Sequence, residues 1–148
     1  MRRFVLDTNI YIAADRDVAK GEELASFYSA YLPVTWLHSV VIQELLIGAV
    51  DARRSAMLRA AYIKPFESRR RIITPSLADW VRSGEIVAQL VQTKVLSPGG
   101  FGRSFLNDVL LAASCRSSGL TLVTRNVADF ERIRRVERFE FVEPWPAP

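Results

Sequence analysis

Phe4-Val5-Leu6-Asp7-Thr8-Asn9 is a short apolar run that stops at a carboxylate and is followed by two residues that favour leaving a strand and starting a helix. It reads as a β-strand turning straight into an α-helix, with Asp7 at the strand's carboxyl end. The same alternation recurs further along the chain. A helix over Glu22 to Tyr31 is closed by Pro33, and Val34 to Leu37 reads as a second strand. Ser39 is placed as the N-cap of a helix over Val40 to Ile47, Gly48 lies near its end, and a further helix spans Asp51 to Ile63. Ile72-Ile73-Thr74 follows as a strand, then a helix capped by Ser76, with Asp79 in its first turn, running to about Leu96. After the loop Ser97-Pro98-Gly99-Gly100-Phe101-Gly102 comes a helix from about Phe105 to Arg116 that Gly119 ends. Leu120 to Val123 reads as a buried strand, Asn126 to Ile133 as a short helix and Phe139 to Val142 as a last strand. Strands alternating with helices predict an α/β fold with a mostly parallel central sheet flanked by helices. One domain over residues 1–143 is expected, followed by a Pro-rich tail over 144–148.

Composition narrows the chemistry. A chain of 148 residues, 49% of them hydrophobic, can bury a single core without disulfide or metal staples. Cys115 is the one cysteine, so no intrachain disulfide can form, and a reducing compartment, the cytoplasm, is expected. Met1-Arg2-Arg3 precedes only three apolar residues, too few for a signal-peptide core, and no apolar run approaches the roughly 18 residues of a membrane span. With one cysteine and one histidine, His38, a Cys/His zinc site lacks ligands, and any intrinsic metal site must be built from oxygen. A Ser/His/Asp triad would have to use His38, and no G-x-S-x-G elbow accompanies it. The net charge of +4 mildly favours polyanions.

Four carboxylates stand where carboxylates are costly or well placed for chemistry. Asp7 ends a strand of the kind that lines ligand crevices in open α/β sheets, or serves only as a helix N-cap. Glu44 shares a helical face with Val40, Val41, Ile47 and Gly48, and no Lys or Arg lies one turn away to pair with it. Asp108 has Phe105, Leu111 and Ala112 one turn away and Cys115 two turns on, where an unpaired charge is costly; the alternative is a favourable place in its helix's first turn. Asp129 follows the strand Leu120 to Val123, and either it or Asn126 is open to reading as a cap. Several carboxylates brought to one edge of a parallel sheet share one explanation, the neutralisation of a hard divalent cation such as Mg²⁺ or Mn²⁺. Such a site binds phosphates and promotes in-line displacement.

These residues resemble a known family. Phe4 to Asn9, Ser39 with Gln43-Glu44-Leu45-x-x-Gly48-Ala49, Asp108-x-x-Leu111-Ala112-Ala113, and Gly119-x-x-Leu122-x-Thr124-x-Asn126-x-x-Asp129-Phe130 look like the PIN-domain ribonucleases, and within them the VapC toxins of bacterial toxin and antitoxin pairs. The order and spacing hold from about Phe4 to Phe141. The resemblance implies a PIN-like three-layer fold and an endoribonuclease that hydrolyses RNA with metal-activated water. Asp7, Glu44 and Asp108 would hold Mg²⁺ or Mn²⁺, with Asp129 preferred to Asn126 as the fourth position because it carries charge. It further implies that Thr8, Asn9 and Thr124 position the carboxylates, with Asn126 in support, and that the partners are RNA, a cognate VapB-type antitoxin and a second copy of the chain.

Other readings fit less well. A phosphatase with Asp7 as nucleophile needs a second Asp where Asn9 stands. A dinucleotide fold needs its glycines after the first strand, whereas Gly99 to Gly102 follows a long helix. A catalytically inactive PIN-like module for RNA or protein binding is the remaining alternative, and its signature would be a missing carboxylate. Arg53, Arg54, Arg59, Lys64, Arg69 to Arg71, and Arg132, Arg134, Arg135 and Arg138 are solvated faces or flanks of the acidic centre, and Trp36, Trp80 and Trp145 are expected in the core or an interface.

Overall fold

A computed structural model describes residues 1–146. Five parallel strands form one sheet in the order β3-β2-β1-β4-β5, with β1 Phe4–Leu6, β2 Thr35–His38, β3 Ile72–Ile73, β4 Thr121–Val123 and β5 Phe141–Val142. Because side chains alternate across a strand, the sheet feeds two cores. Val5 and Leu122 point to one face and meet Ile86 and Leu90 of helix α6 (Leu77–Gln92), Val109 and Leu111 of α7 (Arg103–Ser118), and Phe130 and Ile133 of α8 (Val127–Arg134). Phe4, Leu6, Leu37 and Val123 point to the other face. They meet Ile10 and Tyr11 of α1 (Thr8–Arg16), Leu24 and Phe27 of α2 (Val18–Tyr31), and Val41 and Leu45 of α3 (Ser39–Ile47). Helices on both faces of a parallel sheet make the expected three layers.

Local chemistry accounts for most of the boundaries. Ser76 and Asp79 form a reciprocal capping box at the start of α6, and Gly119 ends α7 in the left-handed region at φ 65°, so β4 can begin two residues later. Four expectations need correction. The N-cap of α3 is His38, not Ser39: its Nδ1 accepts the Val40 N–H at 3.1 Å from a fully buried ring. The helix expected over Asp51 to Ile63 is α4 (Ala52–Leu58), capped by Asp51, which widens to a π turn over Arg59–Ile63 and continues as α5 (Lys64–Glu67); Pro65 is tolerated in that piece's first turn. α6 stops at Gln92 rather than Leu96, because Lys94 adopts φ 62° and turns Leu96 back into the core. α7 starts at Arg103, so Asp108 lies beyond the first turn and away from the helix's positive end.

Trp36 and Trp145 pack against the core, while Trp80 is 59% exposed. The tail begins by folding back: Trp145 stacks on Phe27 at 4.9 Å between ring centres and donates to Glu23 at 3.2 Å. Residues 147 and 148 of the expected tail lie outside the described residues. No helix among the described residues is long and apolar enough to cross a membrane.

Candidate metal centre

The sheet grows from β1 through β2 to β3 on one side, and through β4 to β5 on the other. Such a reversal leaves a crevice at the carboxyl ends of the two central strands. Asp7 leaves β1 there, its N–H donating to Val123 O at 2.9 Å, and Thr124 leaves β4 beside it.

Asp7 caps α1 and lies in this crevice at the end of β1. Its Oδ1 accepts the Thr8 N–H at 2.7 Å, and its Oδ2 accepts from the Thr124 hydroxyl at 2.7 Å and the Asn9 amide at 3.2 Å. Burial nevertheless pushes it up to about 6, against the pull of the Thr124 and Thr8 hydrogen bonds, with Glu44 adding repulsion. Asp108 on α7 is 6% exposed and is pushed up to about 8, first by burial and then by Asp7, Asp129 and Glu44. Glu44 is half-buried on α3, and its Oε1 accepts the Thr8 hydroxyl at 2.7 Å. On the same face Val40 and Val41 are buried while Ile47 and Gly48 are exposed, so Glu44 stands where that face emerges from the core.

Asn126 holds the N-cap position of α8 without capping it through its side chain. Its amide donates instead to Asp108 at 3.3 Å and to Asp129 at 3.0 Å, tying the two carboxylates together. Asp129, in the first turn of α8, also accepts from Arg132 at 3.2 Å. Thr124 is the hub: its hydroxyl donates to Asp7 and accepts from the Asn9 amide at 3.2 Å and the Asn126 N–H at 3.0 Å.

Among the described residues Asp7, Glu44 and Asp108 have no ion-pair partner. As the side chains lie, no three His, Cys, Asp or Glu groups there are close enough to close on one ion. The chemistry of the set still fits a hard cation: every donor is oxygen, the charge is negative, and the two buried carboxyls are ones that a cation would hold ionised.

Residues 4–136 match the family model of the PIN domain. The chain belongs to the PIN domain family. Over 134 residues, 90% of this chain and 93% of the relative, it is 30% identical to Ribonuclease VapC2 of Haemophilus influenzae. It is 29% identical, with the same coverage, to the tRNA(fMet)-specific endonuclease VapC of Shigella flexneri. In fold it is similar to DNA-bound VapBC from Salmonella typhimurium, with a TM-score of 0.71 and 24% identity over 97% of this chain and 98% of that one.

Other polar groups of this PIN domain are engaged within the fold. His38 Nε2 lies 2.9 Å from Ser114 Oγ, a serine–histidine pair by distance, but both residues are fully buried and the other ring nitrogen serves the α3 cap. No substrate reaches such a pair. Of the basic residues, Arg132 touches the acidic site through Asp129, and Arg54 pairs with Asp15 in the cleft that Glu44 also lines. Arg69 and Arg71 are spent on the Pro65 and Leu32 carbonyls. The Asp129–Arg132 pair is visible in the sequence only as an i,i+3 spacing, and the Asn126 bridge leaves no sequence signal beyond the residue itself.

Proposed function

We propose that this PIN domain is a metal-dependent endoribonuclease, the toxin of a VapBC-type toxin–antitoxin pair, acting in the cytoplasm. The observation that carries the reading is the set Asp7, Glu44 and Asp108: three carboxylates at one sheet edge, two of them buried, without a cationic side chain paired to them among the described residues. The names of the Haemophilus and Shigella relatives support ribonuclease activity, and the VapBC assembly from Salmonella supports a VapB-type partner.

In this reading Asp7, Glu44 and Asp108 hold Mg²⁺ or Mn²⁺, and Asp129 completes the set. The cation supplies Lewis acidity and a counter-charge for the phosphodiester. Thr8 orients Glu44, Thr124 and Asn9 orient Asp7, and Asn126 keeps Asp108 and Asp129 in register. The single buried thiol is consistent with a reducing compartment. The chain also pairs with a second copy of itself.

The test is cleavage of an RNA panel, tRNA(fMet) included, with Mg²⁺ or Mn²⁺. Cleavage should vanish in EDTA and in each of Asp7→Asn, Glu44→Gln and Asp108→Asn while the proteins stay folded. Undiminished cleavage in EDTA or in all three variants rejects the mechanism. A folded native chain that binds RNA or a partner without cutting any RNA establishes the alternative, an inactive PIN-like module.

A further inference from the structure

The amino ends of β1, β4 and β5 open on a second cavity, of about 830 Å³, on the sheet edge opposite the carboxylates. Its floor is apolar and buried, formed by Cys115, Leu120 and Phe139. Its walls carry Arg2, Arg3, Arg116, Arg134 and Arg138, and Glu140 is the one carboxylate among the lining residues. Strands of three residues rising about 3.3 Å each put roughly 10 Å of sheet between this cavity and Asp7.

Two of the five guanidinium groups are committed elsewhere. Arg116 pairs with Glu137, while Arg134 pairs with Glu131 at 3.3 Å and lies 3.8 Å over the Phe141 ring. Arg3 spends one nitrogen on the Ser118 carbonyl at 2.7 Å, which fixes its guanidinium beside the cavity without neutralising it. Glu140 accepts from the Thr121 hydroxyl at 3.2 Å. Among the described residues Arg2, Arg3 and Arg138 have no carboxylate partner. In a chain of net charge +4, three unpaired guanidinium groups at one cavity are a large share of the excess. Arg3 supports the end of α7 through the Ser118 carbonyl, whereas Arg2 and Arg138 have no ion pair among the described residues, and all three are exposed.

We infer that this cavity binds a phosphate ester of nucleotide size. Arg2, Arg3 and Arg138 take the phosphate oxygens, for which the planar guanidinium fork is well matched. The apolar floor takes the uncharged flat part of the ligand. The volume lies in the range of small-molecule sites. The carboxylate edge cannot serve this ligand unaided, because in the absence of a cation it repels phosphate. The inference stands apart from the nuclease reading and needs no metal.

The phosphate can belong to a free nucleotide or to a nucleotide within an RNA strand, and the two sources are separable. Titrate the full chain in EDTA with adenosine 5′-diphosphate and, separately, with a short RNA oligonucleotide, which stays intact because EDTA removes the cation that cleavage requires. Binding should weaken with added salt. It should fall about tenfold or more in the double variant Arg2→Gln with Arg138→Gln, the loss of a charge-assisted hydrogen bond. Saturating ligand should raise the melting temperature of the native chain and not that of the double variant, the two melting alike without ligand. Binding of the diphosphate on this pattern assigns a free nucleotide, and binding of the oligonucleotide alone assigns a strand. Failure of both probes to bind, or equal binding to the native chain and the double variant, overturns the inference.

Discussion

Asp7 and Asp108 are carboxyls held where ionisation is costly, with folded-state values of about 6 and about 8 against an ordinary 3.8. The folded state therefore binds more protons than the unfolded one. Their contribution to stability is complete below about 3.8 and is lost as pH rises through 6 and then 8. In metal-free urea unfolding, Asp108→Asn should gain on the native chain steadily from pH 4 to pH 8 and be the more stable of the two at pH 8. Parallel curves for the two proteins would show that Asp108 is not strained. Repulsion among converging acids is legible in the sequence, but burial outweighs it at Asp108, and that burial is a tertiary property. Thr124 is the residue whose role is least visible from its own neighbours. Its hydroxyl donates to Asp7 while accepting from Asn9 and Asn126, so Thr124→Val removes an orienting bond with little change of shape. We expect Mn²⁺ affinity to fall about 10- to 100-fold, the usual loss for a partner that orients a ligand, as read from free Mn²⁺ by paramagnetic resonance. Unchanged affinity would reduce Thr124 to packing.

At the scale of elements, the start of α3 carries its own pH dependence. Burial holds His38 down at about 4, from an ordinary 6.5, against the weaker upward pull of Asp79, and its unprotonated Nδ1 caps the helix. A depressed histidine contributes fully above 6.5 and loses that contribution as pH falls toward 4. His38→Asn keeps a capping oxygen and cannot titrate, so the stability gap between the native chain and this variant should narrow from pH 6.5 to pH 4. A gap independent of pH would mean that the ring is not required neutral. The misplaced cap shows where local reading stops. Ser39 is the better capping residue by type, but β2 runs through His38 and delivers a buried imidazole to the free N–H groups first. The extra residues at the start of α7 act in the same way. They follow from the loop at Gly99 to Gly102 and move Asp108 away from the helix end that its sequence position suggests. By contrast β1, the Ser76 cap of α6 and the Gly119 stop match expectation, because each is fixed by residues adjacent in sequence.

Across the whole molecule, the crossing of the chain from one side of β1 to the other brings acids far apart in sequence to one edge of the sheet. Alternating strands and helices make that parallel arrangement legible, and the apolar run ending at Asp7 marks its centre. The distances between the acids are not legible, nor is the arginine cavity, whose residues come from the N-terminus, α7, α8 and the approach to β5. One buried charge ties two of these parts to α6: Glu137, 1% exposed and on the approach to β5, accepts from Arg82 of α6 at 2.8 Å and from Arg116 of α7. Arg82→Met should cost about 2 kcal/mol in urea unfolding, less than the removal of a fully buried partner because Arg82 is itself part-exposed. No loss would show that Arg116 alone satisfies Glu137. As the toxin of a toxin–antitoxin pair, the chain expressed alone should arrest growth, and co-expression of a cognate VapB-type antitoxin should relieve the arrest. Vigorous growth despite intact cleavage in vitro would point to a housekeeping nuclease. The central claim is that Asp7, Glu44 and Asp108 share one divalent cation. Melting at pH 7 with increasing Mg²⁺, native chain against Asp108→Asn, tests it most directly. The native melting temperature should climb with ln(1 + [Mg²⁺]/Kd), and the variant should start higher without metal and not respond. Equal shifts in both proteins, or none in either, would contradict it.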